Sequence, residues 1–84
     1  MRFRGNVQGV GFRYTAVQTA GRFDVTGWVR NEPDGTVKCV IEGESAEIGA
    51  FLDALNDRMG GHIRDRDEQT APFSGRFHGF DVTY

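Results

Sequence analysis

The sequence predicts an α+β domain in which a single antiparallel sheet carries two helices on one face, and three observations predict it. Val25, Gly27 and Val29 alternate with Asp24, Thr26, Trp28 and Arg30, and Val37, Cys39 and Ile41 alternate further on, which is the period of a pleated strand. Two other segments, one from Phe12 and one from Ser45, have apolar residues at helical spacing along one face. The resulting order is strand, helix, strand, strand, helix, strand. A single sheet with both helices on the same side satisfies it, the split βαβ or ferredoxin-like architecture.

The first strand is expected over about residues 1 to 8, from Phe3-Arg4-Gly5-Asn6-Val7, and Gln8-Gly9-Val10-Gly11 then forms a loop. Phe12, Ala16, Val17 and Ala20 make the apolar stripe of the first helix, which should end near Gly21 to Arg22. The second strand follows, with Trp28 on the opposite face from the valines. Pro33-Asp34-Gly35 combines a fixed φ, a turn-forming Asp and a residue free to take positive φ, so the chain reverses in a hairpin. The third strand runs until Gly43. Ser45 is placed to cap a second helix carrying Ile48, Phe51, Leu52, Leu55 and Met59, which Gly60-Gly61 ends. His62 to Thr70 is highly charged around Ile63 and is expected to give at most a short edge strand and a loop. Phe80, Val82 and Tyr84 close the chain as a strand. Because a crossover helix joins strands one and two, they run the same way, and their C-terminal ends share one rim of the sheet. The loop at 8 to 13 and Asn31 should meet there.

Composition narrows the class of protein. At 84 residues the chain has room for one domain, 1–84, with a single core and no linker. Leu, Ile, Val and Phe make up about 24% of it, above the roughly 20% floor of disordered chains. Twelve glycines are about twice the usual share of about 7% and point to tight local geometry. A net charge of −2 and a pI of 5.6 argue against a nucleic-acid-coating surface, leaving room only for a small anion pocket. The lone Cys39 can form no internal disulfide, and no apolar run is long enough to span a membrane. The expectation is a cytoplasmic, reduced protein.

Chemistry is concentrated in Gly9-Val10-Gly11-Phe12-Arg13, which leads from a strand into a helix. Backbone N–H groups that lack helical partners can converge there on one anion, and the glycines let the backbone approach. Arg13 adds a planar fork of donors matched to phosphate or carboxylate oxygens. Such a loop is also an ordinary tight turn with a solvated arginine. Against that stands the position of Arg13, a cation at the positive end of a helix macrodipole, which costs some tenths of a kcal/mol unless an anion lies between them. Asn31 reads either as the first residue of the turn or as an amide able to hold a water in line with phosphorus. Trp28 reads as packing area. Cys39 alternates with core residues and has no nearby His to activate it, and His62 and His78 read as surface residues without metal-ligand spacing. No Walker motif, zinc cluster or HExxH is present. Any reaction must therefore have an easy leaving group.

Gly5-Asn6-Val7-Gln8-Gly9-Val10-Gly11-Phe12-Arg13, then Gly27-Trp28-Val29-Arg30-Asn31, Gly35-Thr36-Val37, Gly43 and the ending Phe77 to Tyr84 resemble the acylphosphatases over nearly the whole chain. The resemblance implies a ferredoxin-like domain that hydrolyses the carboxyl-phosphate anhydride of acyl phosphates to carboxylate and inorganic phosphate, with no metal or other cofactor. It further implies that Arg13 and the backbone N–H groups of Gly9, Val10, Gly11, Phe12 and Arg13 bind the phosphate, and that Asn31 orients the attacking water. Three positions depart from the family pattern: Phe3 stands where an aliphatic is usual, Asp24 where a glycine is common, and Gly60-Gly61-His62 where a Gly-Pro segment is usual.

The expected partners are a small acyl phosphate and the phosphate product, with no nucleic acid, no membrane and a monomeric state. Two other readings compete. One is a phosphate- or acyl-phosphate-binding module with the same pocket and no turnover. The other is RNA binding, because RNA-recognition domains share this architecture, but the third strand, Val37 to Ile41, has no aromatic residue on which bases could stack.

Overall fold

A computed structural model of the chain describes residues 1–9, 11–68 and 74–83. Val10, one of the expected phosphate-binding positions, lies outside the described residues, as do 69–73 and Tyr84, the expected end of the last strand. The elements are β1 (Arg2–Gly5), α1 (Phe12–Ala20), β2 (Val25–Asn31), β3 (Val37–Gly43), α2 (Ser45–Met59), one 3-10 turn (Gly60–His62), β4 (Ile63–Asp67) and β5 (Phe80–Val82). They form one sheet in the order β4-β1-β3-β2-β5.

β3 pairs antiparallel with both β1 and β2, so those two strands run in the same direction and reach the same rim, as the crossover helix requires. β4 is a short edge strand, antiparallel to β1. The expected α+β sandwich is present with one difference at its other edge, where β5 pairs with β2 in parallel, Val29 opposite Val82. β4 runs against β1, and therefore against β2. A chain that then crosses to the far edge and reverses must lie parallel to β2.

Burial follows the sequence pattern. Phe3, Val29, Val37 and Cys39 from the sheet meet Phe12, Ala16, Phe51 and Leu55 from the helices, all within 1% of complete burial. Phe51 of α2 also packs against Phe80 of β5, ring centroids 5.5 Å apart. The departure from family pattern at Phe3 is absorbed by an aromatic pair, its ring lying 5.0 Å from that of Phe12 at 54°. Asp24 is held through its N–H, which donates to Glu47 Oε1 at 2.8 Å.

Two local expectations are corrected, and the packing expected of Trp28, on the face opposite the valines, is made specific. β1 stops at Gly5, short of residue 8, because the register with β4 shifts between Arg4 and Gly5. The N-cap of α2 is Glu44, in extended conformation, and Ser45 is already in the helix, whose first bond runs from Ile48 N–H to the Glu44 carbonyl at 3.0 Å. Trp28 packs outside the core: half-buried on the helix-free face, it lies under the Arg30 guanidinium at 5.0 Å and the Lys38 ammonium at 6.0 Å. His62 and His78 are exposed, as read from the sequence.

The segment leading to β5 is fastened by one carboxylate. Glu42 of β3 accepts hydrogen bonds from Ser74 Oγ at 2.6 Å, Ser74 N–H at 2.7 Å and Gly75 N–H at 3.0 Å. These bonds, the serine hydroxyl first among them, hold its carboxyl below the ordinary range.

Candidate active site

The loop between β1 and α1 is pinned at both ends and open in the middle. Val7 is fully buried before it and Phe12 is 1% exposed after it. Gly9 and Gly11 between them have φ of +77° and +75°. L side chains rarely adopt that left-handed conformation, so the glycines are required by backbone geometry. Gly11 is also the N-cap of α1, whose first bond is Thr15 N–H to the Gly11 carbonyl at 2.9 Å. The N–H groups of Phe12, Arg13 and Tyr14 precede that bond and have no acceptor within the helix. No acidic residue stands in the first turn to meet them.

Asn31 arrives from β2. Val25, Gly27 and Val29 are buried, and strand alternation puts Asn31 on that same helix-bearing face, at the rim where α1 begins. Its Oδ1 is buried and has no hydrogen-bond partner among the described residues. Gly9, Gly11, Phe12, Arg13 and Asn31 all line one cavity of about 360 Å³. Phe12 has its ring in the core, so what it can offer the cavity is its backbone.

Several residues that sequence reasoning did not select complete the walls: Val7, Tyr14 and Val17 near the loop and on α1, and Asp81 and Val82 of β5. Tyr14 and Val17 follow Arg13 by one residue and by one turn, so helical spacing could have found them. Tyr14 is 66% exposed and its hydroxyl accepts a hydrogen bond from Gln18 Nε2 at 2.8 Å. Asp81 and Val82 had no comparable signal, since their place depends on the parallel pairing of β5.

The turn after Asn31 is braced from its own side. Thr36 donates to Asp34 Oδ1 through its hydroxyl at 2.6 Å and its N–H at 3.0 Å. Those bonds, with Arg2 alongside at 3.2 Å, keep the Asp34 carboxyl below its usual range. Cys39 lies fully buried, and desolvation pushes its thiol up to about 12, so it supplies no nucleophile. Among the described residues no three His, Cys, Asp or Glu side chains form a group able to hold a metal ion.

An α+β sandwich with a glycine loop at the start of its first helix thus carries, on the same cavity, a guanidinium and a buried amide oxygen. The acylphosphatase family profile matches residues 1–82. The chain is 43% identical over 84 residues to an acylphosphatase of Arthrobacter sp., spanning 99% of this chain and 77% of that one. It is 38% identical over 82 residues to an acylphosphatase of Geotalea uraniireducens, spanning 96% and 90% respectively. A crystal structure of acylphosphatase from Bacillus subtilis superposes with a TM-score of 0.89 at 30% identity, covering 99% of this chain and 93% of the other. The chain belongs to the acylphosphatase family. It is a hydrolase acting on acyl phosphates, which are small molecules of a size this cavity admits.

Proposed function

We propose that Arg13 and the N–H groups of the loop from Gly9 to Arg13 bind the phosphoryl group, and that Asn31 orients the water that attacks phosphorus in line with the departing carboxylate. The observation that carries this reading is the convergence of Arg13, Gly9, Gly11 and Asn31 on one cavity. The fork of Arg13 and the amides of the loop offset the charge that gathers on the equatorial oxygens. The buried Oδ1 of Asn31 accepts one O–H of the water, leaving a lone pair for phosphorus. The water oxygen forms the new P–O bond as the bond to the acyl oxygen breaks, and its surplus proton passes to an oxygen of the phosphoryl group, which leaves as inorganic phosphate. The carboxylate leaves as an anion because its conjugate acid has a pKa of about 4, so no general acid is needed.

The reading dispenses with a metal, since guanidinium and amides supply the charge compensation. Its test is phosphate release from benzoyl phosphate in the presence of a chelator, beside an alkyl phosphate monoester. Saturable turnover of the anhydride alone is expected. Loss of turnover on chelation, or equal cleavage of the monoester, would overturn it.

We also read residues 1–84 as one domain that works as a cytoplasmic monomer without nucleic acid. No helix among the described residues is long and apolar enough to cross a membrane, and the single thiol, Cys39, is buried. Three cations of the helix-free face are ion-paired, Arg2 with Asp34, Arg4 with Asp67 and Arg30 with Glu32, and Lys38 lies over Trp28, which leaves little free charge for a polyanion. The β4 edge reads Ile63-Arg64-Asp65-Arg66-Asp67. A second copy pairing antiparallel about a two-fold axis would set arginine against arginine and aspartate against aspartate, which opposes edge-to-edge association. Sedimentation at a single monomer mass, and no retention on RNA at low salt, are the expected results.

A further inference from the structure

We infer that Gln8 is a positioning residue for the reaction: its carboxamide ties the phosphate-binding loop to the turn that carries Asn31, and so fixes the separation between the bound phosphoryl group and the attacking water. The inference rests on the roles proposed above for Arg13 and Asn31.

Gln8 Nε2 donates to the Glu32 carbonyl at 2.8 Å and to the Thr36 carbonyl at 2.9 Å. Both acceptors are carbonyl oxygens, so the NH2 end must face them, and its two protons serve one each. The same two carbonyls close the turn on itself, Thr36 accepting from Glu32 N–H at 2.9 Å and Glu32 from Gly35 N–H at 3.1 Å. Gln8 therefore grips the turn at both of its closing points. It stands immediately before Gly9, and Glu32 immediately follows Asn31. One half-buried side chain thus links the residue preceding the loop to the residue following the water-orienting amide.

The link matters because it joins the loop directly to the turn that carries Asn31. Among the described residues, a Cβ built on Gly9 or Gly11 would meet nothing within 4 Å, so neighbours do not wedge the loop at those two positions. Without Gln8, the loop would lose its direct tie to the turn, while the turn would stay folded through Asp34 and Thr36. Each half would keep its own shape and lose its registration with the other. In-line attack tolerates little of this, since a displacement of about 1 Å at reacting atoms costs about 100-fold in rate.

The test compares wild type with Gln8→Met, which keeps length and removes both donors, and Gln8→Glu, which keeps shape, removes both donors when ionised and returns one of them when protonated. Turnover of benzoyl phosphate and inhibition by inorganic phosphate are measured below each variant's Tm. For Gln8→Met, kcat should fall about 10-fold to 100-fold while the inhibition constant for phosphate stays within about twofold, because phosphate is held by the loop alone. For Gln8→Glu, kcat relative to wild type at the same pH should recover in part as the carboxyl gains a proton and with it one of the two donors, at or above its ordinary pKa of about 4.3. A kcat near wild type for Gln8→Met, a parallel loss of phosphate affinity, or a pH-independent deficit in Gln8→Glu would overturn the inference. Should Gln8→Met not fold, the pH profile of Gln8→Glu decides alone. Arg13→Ala run alongside separates the two levels: if it too keeps full activity, the reading of the site has failed, whereas an inactive Arg13→Ala beside an active Gln8→Met rejects only the role of Gln8.

Discussion

The ring of Phe3 in β1 lies 5.0 Å from the ring of Phe12 at the start of α1, so the strand that enters the glycine loop and the helix that leaves it are fastened to each other. Both side chains are buried. Phe3→Ala removes one half of that fastening and leaves a cavity, and should cost about 3–5 kcal/mol. Phe3→Leu, nearer the family's usual aliphatic, should cost much less. Urea unfolding of the two variants measures both, and equal losses would contradict a packing role for the ring.

Arg13→Ala and Asn31→Ala should fold as wild type and lose about 100-fold or more in kcat/KM, the scale of a missing transition-state donor. Arg13→Lys should be nearly as poor as Arg13→Ala, because a point charge does not reproduce the fork. Steady-state kinetics with benzoyl phosphate check all three. Near wild-type turnover in Arg13→Lys would mean that charge alone suffices.

Gly11→Ala isolates backbone conformation from crowding. A Cβ at that position would touch nothing within 4 Å, yet φ is +75°. The expected cost is about 1–2 kcal/mol of left-handed strain, together with weaker inhibition by phosphate as the loop relaxes. Thermal unfolding and phosphate inhibition, measured on the same sample, should move together.

Asp34 gives a pH signature. Its carboxyl is held below the ordinary value, first by the Thr36 hydroxyl, then by the Thr36 N–H, with Arg2 adding to them. A depressed pKa means that the contribution to the turn is complete above the unfolded value of about 3.9 and is lost as pH falls through the folded value. An NMR titration should place the Asp34 midpoint below that of a free aspartate, and Thr36→Val should move it up. No movement would assign the shift elsewhere.

Cys39 should resist thiol reagents in the native protein near neutral pH, since burial pushes its pKa to about 12, and should react at once in denaturant. Rapid native modification would show that the core opens there.

The loop, Arg13 and Asn31 were legible in the sequence because their signals are local: glycines that interrupt one period before the next begins, and an amide at the end of an alternating strand. Strand direction added that two such signals share a rim. What was not legible depends on segments far apart in the chain. Gln8 reaches carbonyls 24 and 28 positions away, and a glutamine in a loop carries no mark of that. The Glu42 anchor, the cations over Trp28 and the parallel seating of β5 likewise follow from register between strands, which composition and period do not encode. Ser45 was misread as the cap of α2 because a favourable cap residue stood one position inside the helix, where extended Glu44 could serve instead.

Val82, on a strand of three residues, forms part of the wall around the cavity, whereas the loop and Asn31 come from the first half of the chain. On the ribosome, the groups assigned to chemistry would emerge long before the strip that encloses them. Turnover should accordingly begin only when β5 has left the exit tunnel and docked beside β2, making hydrolysis a late reporter of that edge of the sheet.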